Sequence, residues 1–171
     1  MGHVVEQDAV RIREARDEDA DDLISLVGAC FAEYPGCVLD VDGELPELRR
    51  IASAFRAWGG EFWVAECTGR ALASIGWLPA GEAVELCKLY VDASLRHRGL
   101  AHRLCERVEQ VARRRGAARV ELWSDTRFET AHLLYEKRGY RRGGDTRRLH
   151  DRSDTVEYYY RLELGSAGGD V

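Results

Sequence analysis

Five basic side chains and one glycine lie close together between positions 96 and 103 of the sequence. They are Arg96, His97, Arg98, Gly99, His102 and Arg103. The segment follows the apolar run VELCKLYV and precedes a stretch with the spacing of an amphipathic helix. A helix start offers unpaired backbone N–H groups and the positive end of the helix dipole, and a glycine lets a ligand approach the backbone closely. The pattern predicts a site for a phosphate-bearing ligand; the alternative is a tight turn with solvated arginines.

The distribution of charge also favours an anionic ligand near this bend. The net charge of −5 argues against a general nucleic-acid binder. Residues 96–119 nevertheless hold eight Arg against two Glu, whereas residues 1–50 hold thirteen Asp and Glu against five Arg. Neither GxxxxGKS/T nor a GxGxxG after the first strand occurs, which argues against the phosphate loops of nucleotide triphosphatases and dinucleotide enzymes.

Length and composition predict one cytoplasmic domain. The 171 residues suit a single core, and no stretch reaches the ~18 consecutive apolar residues of a membrane span. The start lacks the apolar segment of a signal peptide, so export is not expected. Five cysteines without a CxxC pair indicate buried, reduced thiols. We expect a polar leader over residues 1–9, one domain over 10–164 and a flexible tail over 165–171.

The hydrophobic spacing predicts an α/β domain with the element order β-α-α-β-β-β-α-β-α-β-β. Six of the seven strands have ends that the sequence defines, namely VRIREAR, EFWVAECTG, ALASIGWLP, AVELCKLYV, ARVELWSD and TVEYYYRLEL. The helices are DEDADDLISLVGACFAEY, LPELRRIASAFRAWGG, GLAHRLCERVEQVARRRG and RFETAHLLYEKRGY. The segment PGCVLDVDGE between the first two helices is expected to be a loop.

This succession of elements resembles the Gcn5-related N-acetyltransferases, the GNAT superfamily. Its Arg/Gln-x-x-Gly-x-Gly/Ala motif is matched by Arg96, Gly99 and Ala101. Its later Ala-x-x-Leu-Tyr-x-x-x-Gly-Phe pattern is matched by Ala131, Leu134, Tyr135, Gly139 and Tyr140. The resemblance covers about residues 10–164. It implies a mixed, mainly antiparallel central sheet, with two central strands that splay apart and about four flanking helices.

The resemblance implies acetyl-CoA as cosubstrate and no metal. The pyrophosphate would rest on backbone amides of the bend, and the pantetheine arm would pair with the preceding strand. The implied contacts are Leu89, Tyr90, Val91, Arg96, His97, Arg98, Gly99, Leu100, Ala101 and His102. Many relatives carry an asparagine three residues before the alanine of the later motif, where it contacts the pantetheine. Phe128 stands at that position, so this contact is either missing or supplied by Ser124, Asp125 or Thr126, and it is not assigned.

Glu85 is the candidate general base, because an attacking amine must lose a proton. In the histone-acetylating branch the base is a glutamate on this strand, six residues before its closing apolar residue, and Glu85 has the same spacing to Val91. Its carboxylate, with an ordinary pKa of about 4.3, is ionised at neutral pH. Period two places on one face Glu85, Cys87, Leu89 and Val91. The alternatives are a glutamate paired with Lys88 or a neighbouring arginine, and a base supplied by water or another residue.

Tyr135 is the candidate acid. It falls where the resemblance places a tyrosine near the thioester sulfur, and its phenol can donate a hydrogen bond to the leaving thiolate. It also belongs to a helical stripe with Phe128, Ala131 and Leu134, so the alternative is a core aromatic, and both roles are compatible. For the carbonyl oxygen, the resemblance implies a backbone N–H near Leu89.

Other reactive side chains are interpreted as structural. Three histidines without metal-ligand spacing are expected to be solvated or packed: His97, His102 and His132. The tryptophans expected in the core are Trp58, Trp63, Trp77 and Trp123. Cys87 has no nearby histidine partner in the sequence and is expected to be a buried thiol.

The predicted activity is transfer of acetyl from acetyl-CoA to a primary amine by direct attack. The acceptor would lie between the polar segment 144–156, suited to a binding or lid loop, and an acidic N-terminal group comprising Glu33, Asp40, Asp42 and Glu44. The acidity favours a cationic acceptor such as a polyamine, an aminoglycoside or a lysine side chain, although solubility explains it equally well. The alternatives are a non-catalytic acyl-CoA sensor and transfer of a longer acyl group. No nucleic-acid or membrane partner is expected, and a homodimer through TVEYYYRLEL is a further expectation.

Overall fold

The computed structural model describes residues 10–165. The predicted leader, residues 1–9, and the tail residues 166–171 lie outside this range. The strands and helices are, in chain order, β1 (Arg11–Glu14), α1 (Ala20–Ala32), α2 (Val41–Glu44), α3 (Ile51–Ala57), β2 (Glu61–Cys67), β3 (Arg70–Ala80), β4 (Ala83–Val91), α4 (Leu100–Arg114), β5 (Arg119–Asp125), α5 (Glu129–Lys137), β6 (Arg141–Arg148) and β7 (Val156–Glu163). This order agrees with the predicted one except for the short α2.

A single seven-stranded sheet runs through the described part of the chain in the order β1-β2-β3-β4-β5-β7-β6. Neighbouring strands are antiparallel except β4 and β5, which are parallel and are connected by the crossover helix α4. The predicted mixed, mainly antiparallel sheet is therefore confirmed. β7 pairs with β5 on one side and β6 on the other, so it has no free edge for strand pairing with a second copy.

Helices cover both faces of the sheet and bury the apolar stripes that the sequence predicts. On one face, the α1 residues Leu23 and Val27 pack with Ile51 and Phe55 of α3. The other face is covered by α4, and its predicted stripe is buried at Leu100, Leu104, Val108 and Val111. Each of these side chains contributes roughly 1.5–3 kcal/mol through removal of apolar surface from water. The two layers hold β4 and the following bend firmly between α1 and α4.

Three local predictions are wrong. The segment predicted as a loop contains α2, because Asp40 accepts a hydrogen bond from the backbone N–H of Gly43 at 3.0 Å and caps one helical turn. The single helix predicted from residue 45 is divided into a 3-10 turn over Pro46–Arg50 and α3. Residues 144–148, expected in a loop, belong to β6, whose polar residues are tolerated because it is an outer strand.

The tryptophans do not all lie in the core. Trp63 and Trp77 are buried as predicted, each 4% exposed, whereas Trp58 is 50% exposed. Trp58 follows the last residue of α3, and only part of its ring packs against Phe55, with ring centroids 5.5 Å apart. Trp123 is half-buried beside Tyr159. Residues 10–165 include no helix with the length and apolar character needed to span a bilayer.

Candidate active site

The central sheet opens between β4 and β5, as the sequence predicts. Three residue pairs join the two strands, from Ala83 with Arg119 to Glu85 with Glu121. β4 nevertheless continues to Val91, and β5 to Asp125. The part of β4 beyond these pairs borders two cavities, of about 610 and 390 Å³, and the corresponding part of β5 borders the larger one. Both cavities are lined by Leu89, Tyr90, Phe128 and Ala131, so the two adjoin each other along the opening.

A β-bulge interrupts β4 at this opening. Between the pairs Gly76–Cys87 and Ser74–Tyr90, β4 contains one residue more than β3. Lys88 absorbs the excess by adopting a left-handed conformation with φ of 50°. The Ser74 hydroxyl donates a hydrogen bond to the Lys88 carbonyl at 2.8 Å. The bulge therefore lies where the sequence predicts a backbone donor for the carbonyl oxygen, next to Leu89.

The bulge reverses the alternation of side chains beyond Lys88. Cys87 and Tyr90 pack with the α1 and α3 layer, whereas Leu89 and Val91 pack with the α4 layer. The prediction that Glu85, Cys87, Leu89 and Val91 share one face is therefore wrong for Leu89 and Val91. A strict period of two holds only when neither strand contains an extra residue.

The smaller cavity is a groove at the start of α4. Nine of the ten predicted cosubstrate contacts line it, namely Leu89, Tyr90, Val91, Arg96, His97, Gly99, Leu100, Ala101 and His102. Arg98 is exposed and does not line the groove. Gly99 precedes the first residue of α4 and has φ of 75°, the left-handed region that favours glycine. A Cβ built on Gly99 meets nothing within 4 Å, so the space beside the helix start is open to a ligand.

The Arg96 side chain is engaged within the protein. Its guanidinium forms two hydrogen bonds with the Glu33 carboxylate, at 2.6 and 2.8 Å, and its Nε donates to the Val91 carbonyl at 3.0 Å. These bonds hold the pKa of Glu33 below its usual range and fix the bend against the end of α1. These contacts occupy most of the N–H groups of the guanidinium and leave one N–H of Nη1 for a ligand.

Glu85 faces the larger cavity as an unpaired carboxylate. Within residues 10–165, its side chain forms neither a hydrogen bond nor an ion pair, and Lys88, its possible partner, pairs instead with Glu47 at 2.8 Å. Burial raises the pKa of Glu85, and the positive charge of Arg147 partly opposes this rise. The other carboxylates of the cavity accept hydrogen bonds from neighbours: Glu44, Asp125, Asp151 and Glu157.

Tyr135 lines the same cavity from α5. Its ring is 5% exposed and packs between Tyr140 and Tyr160, with centroid distances of 5.7 and 5.8 Å. Burial raises the pKa of the Tyr135 phenol well above its usual value, so the hydroxyl keeps its proton at neutral pH. Within the described residues no side chain forms a hydrogen bond with this hydroxyl. The predicted packing role is confirmed, and the hydroxyl remains available as a donor.

Phe128 takes part in an aromatic cluster between the two cavities. Its ring lies 4.8 Å from that of Tyr34 and 6.2 Å from that of Phe31, measured between centroids. Phe31 in turn contacts Tyr90 on the bulged strand, at a centroid distance of 6.0 Å. The position where many relatives carry an amide side chain thus presents an apolar wall to the opening.

The acidic N-terminal group is mostly neutralised by nearby arginines. Asp42 pairs with Arg49 at 2.7 Å, Glu33 with Arg96, and Asp40 lies 3.7 Å from Arg152. Of the four predicted acidic residues, Glu44 is the one that lines the larger cavity. From the segment 144–156, the cavity is lined by residues on β6 and the following loop, namely Arg147, Arg148, Leu149, His150, Asp151, Ser153 and Thr155.

One corner of this cavity is charged and aromatic and was not predicted from the sequence. The Arg147 guanidinium stacks on the Trp123 ring at 4.4 Å and donates to Glu157 at 2.7 Å. These residues come from β5, β6 and β7, which become neighbours only because β7 inserts between the other two. The spacing of two residues between Glu121 and Trp123 places both side chains on one face of β5. This spacing is the one sequence signal for the corner.

The remaining cysteines and histidines have structural environments. The five cysteines are free, and Cys30 and Cys105 are the buried ones among them. Burial raises the pKa of Cys87 to about 12, so this half-buried thiol is a poor nucleophile. His132 is buried, and its Nε2 lies 3.0 Å from the Asp125 carbonyl. Across residues 10–165, no three His, Cys, Asp or Glu side chains form a group that could hold a metal ion.

An open sheet beside a helix that starts at a left-handed glycine defines a class of α/β protein suited to an extended, phosphate-bearing ligand. Comparison of the sequence identifies the family within this class. Residues 21–140 match the Acetyltransferase (GNAT) family, and the chain belongs to this family.

Individual relatives agree with this assignment. The mouse protein named "Probable N-acetyltransferase family 8 member 5" is 30% identical over 125 residues, which cover 70% of this chain and 53% of that protein. The chain thus spans about half the length of the curated relatives it matches. Among solved structures, a GNAT-family acetyltransferase from Staphylococcus aureus Mu50 has a TM-score of 0.78 at 22% identity, with 92% of this chain and all of that chain covered. PaiA N-acetyltransferase from Thermoplasma acidophilum, in complex with coenzyme A, has a TM-score of 0.67 at 17% identity, with 90% and 98% covered.

Proposed function

We propose that this chain is an N-acetyltransferase that transfers the acetyl group of acetyl-CoA to a primary amine by direct attack. The observation that carries the proposal is the opening between β4 and β5. Along it, the groove beside Gly99 adjoins the cavity that holds Glu85 and Tyr135. The residues at the groove fit the cosubstrate, because the helix start and its open space suit a pyrophosphate and the unpaired half of β4 suits an amide-bearing arm.

The side chains of the larger cavity have properties that acyl transfer requires. Acetyl-CoA supplies a thioester carbonyl that an amine can attack. Glu85 would take the proton from the acceptor ammonium, directly or through water, because it is an unpaired carboxylate with a raised pKa. Tyr135 would donate its hydroxyl proton toward the departing sulfur. The backbone at the Lys88 bulge would stabilise the carbonyl oxygen as it becomes negative.

The acceptor is proposed to be a small-molecule amine rather than a protein lysine. The cavity volume of about 610 Å³ is of the size that takes a small ligand. Its lining includes the carboxylates of Glu85 and Glu44, which favour a cation. We also propose a cytoplasmic location, since the free cysteines are typical of a reducing compartment. A homodimer remains a prediction, and a sizing column would test it.

The test is release of free thiol from acetyl-CoA in the presence of panels of polyamines, aminoglycosides and amino acids. We expect at least one amine to accelerate thiol release well above the rate of hydrolysis. Binding of acetyl-CoA without acceleration by any amine would contradict transfer and favour a sensor. Parallel binding measurements with propionyl- and succinyl-CoA decide whether the group transferred is acetyl or a longer acyl.

Replacing Tyr135 with phenylalanine should lower kcat by about tenfold while leaving the thermal midpoint almost unchanged, because the ring keeps its packing and only the proton donor is lost. Steady-state kinetics and thermal unfolding measure the two quantities. Tyr158→Phe, on the half-buried strand β7, is the matched control. Unchanged turnover in Tyr135→Phe would leave only the packing role for this residue.

Replacing Arg147 with glutamine should move the acidic limb of the pH–rate profile to higher pH. The Arg147 charge lowers the pKa of Glu85, so its removal raises that pKa, and the base then becomes ionised only at higher pH. The profile of kcat/KM against pH measures this shift. Arg141→Gln removes an equal charge from the same strand outside the cavity. If the acidic limb of the Arg147→Gln profile lies at the same pH as in the wild type, the role of Glu85 as the titrating base is contradicted.

A further inference from the structure

A buried ion pair connects α4 to the residue that follows α5. Arg138 directly follows α5, and its side chain is 14% exposed. Its Nε donates to one oxygen of Glu109 at 3.2 Å, and a second N–H contacts the other oxygen. Glu109 is only 2% exposed. Arg138 also donates to Glu106 at 3.0 Å. The pair satisfies a buried carboxylate that would otherwise be strongly destabilising.

The same guanidinium reaches the groove through a third partner. Nη1 of Arg138 lies 3.1 Å from Nδ1 of His102. His102 is the third residue of α4 and lines the groove beside Gly99. Because His102, Glu106 and Glu109 have spacings of four and three residues, they share one side of α4. One arginine from α5 therefore binds three side chains of the helix that begins at the groove.

This contact determines the tautomer of His102. A guanidinium has only donors, and although burial lowers the pKa of Arg138, its bonds to Glu109 outweigh that effect and raise it. Nδ1 of His102 must therefore accept the hydrogen bond, and the ring proton of the neutral imidazole lies on Nε2. The ring thus keeps one N–H donor, on the nitrogen that Arg138 does not contact.

We propose that His102 donates this Nε2–H to a pyrophosphate oxygen of acetyl-CoA, and that Arg138 is a positioning residue that fixes the ring and its tautomer. The inference rests on the proposed function, because it requires coenzyme A in the groove. A purely structural ion pair could be replaced by apolar side chains at little cost. The extra bond to a groove residue is what gives Arg138 a role beyond stability.

Calorimetric binding of acetyl-CoA to a double-mutant cycle tests the proposal. His102→Ala should raise the Kd about tenfold, as expected for loss of a hydrogen bond to a charged group. Arg138→Met should raise it by a similar factor in the wild-type background and not further in His102→Ala. Lys137→Met, which removes a neighbouring exposed charge, should leave the Kd unchanged. Equal effects of Arg138→Met in both backgrounds would overturn the positioning role.

A second pair of variants keeps the test valid if Arg138→Met does not fold. Arg138→Met/Glu109→Leu replaces the ion pair by an apolar pair and leaves no carboxylate buried alone. The same cycle with His102→Ala is then measured on this background. Nitrogen-15 NMR of His102 gives a readout independent of binding: we expect the Nε2–H tautomer in the wild type and a mixture in the Arg138 variant. An unchanged tautomer would contradict the proposal.

Truncated donors identify the group that His102 contacts. The loss of affinity in His102→Ala should persist for 3′-dephospho-acetyl-CoA, which keeps the pyrophosphate. It should vanish for acetylpantetheine, which lacks both the pyrophosphate and the 3′-phosphate. Loss of the effect with the dephospho donor would assign the contact to the 3′-phosphate and overturn the proposal. If the wild-type chain binds acetyl-CoA and His102→Ala binds it equally well, this inference alone fails. If the wild-type chain does not bind it, the proposed function fails as well.

Discussion

Replacing Gly99 with glutamate will weaken acetyl-CoA binding by at least a hundredfold while the domain stays folded. The new carboxylate would lie where backbone N–H groups at the start of α4 are proposed to hold the pyrophosphate, and two anions repel each other there. The fold should survive, because an added Cβ meets no atom within 4 Å. The cost of a side chain at φ of 75° is about 1–2 kcal/mol. Calorimetry measures the Kd, and circular dichroism measures the fold.

Gly116 provides a matched control at the opposite end of the same helix. It has φ of 68°, and an added Cβ there also meets no atom within 4 Å. Gly116→Glu therefore introduces the same charge and similar backbone strain outside the groove, and it should bind acetyl-CoA normally. A folded Gly99→Glu variant that binds as tightly as Gly116→Glu would show that the cosubstrate does not lie at this helix start.

Replacing Glu85 with glutamine should lower kcat/KM for the acceptor by about a hundredfold at neutral pH, as expected for loss of a general base. The affinity for acetyl-CoA should not change, because Glu85 lines only the larger cavity. Only the ionised form of Glu85 accepts a proton, so wild-type kcat/KM should rise with pH through its pKa. Burial raises that pKa and moves the rise to higher pH. The Glu85→Gln variant should lose this rise of kcat/KM, which is the acidic limb of the pH profile.

Glu82→Gln is the control for this substitution, since Glu82 is exposed in the turn before β4. It should retain the wild-type rate and profile. If Glu85→Gln keeps both the rate and the acidic limb, a water chain or another residue supplies the base. Thiol-release rates across a range of pH, with acceptor concentration varied at each point, separate these outcomes.

Local patterns predicted the elements that position the site. The spacing from Leu100 to Val111 predicted α4 and its buried side, and Gly99 marked its start. These features depend on residues close together in the chain, where helical periodicity and backbone freedom act directly. Nine of the ten contacts that the resemblance to the GNAT superfamily implies lie together beside this helix start.

The features that the sequence did not predict depend on distant partners. The bulge at Lys88 arises from the register between β3 and β4, and a single strand carries no sign of it. Arg96 lines the groove as implied, but the ion pair of its guanidinium with Glu33, 63 positions away, was not predicted. Arg147 on β6 contacts Trp123 on β5 because β7 pairs with both strands and so brings them into the same part of the sheet. Each of these contacts is set by tertiary packing rather than by local propensity.

Within residues 10–165, three residue pairs and the adjacent hydrogen bond from the Ala118 N–H to the Glu82 carbonyl connect β4 and β5, and with them the two halves of the sheet. Cohesion between the two halves therefore depends on α4, on side-chain contacts such as those of Phe128 with Phe31 and Tyr34, and on whatever molecule fills the gap. A bound pantetheine arm would act as an additional, removable strand. Binding should therefore slow amide hydrogen exchange along the facing edges of β4 and β5. The midpoint of thermal unfolding should rise with the logarithm of the cosubstrate concentration once that concentration exceeds the Kd.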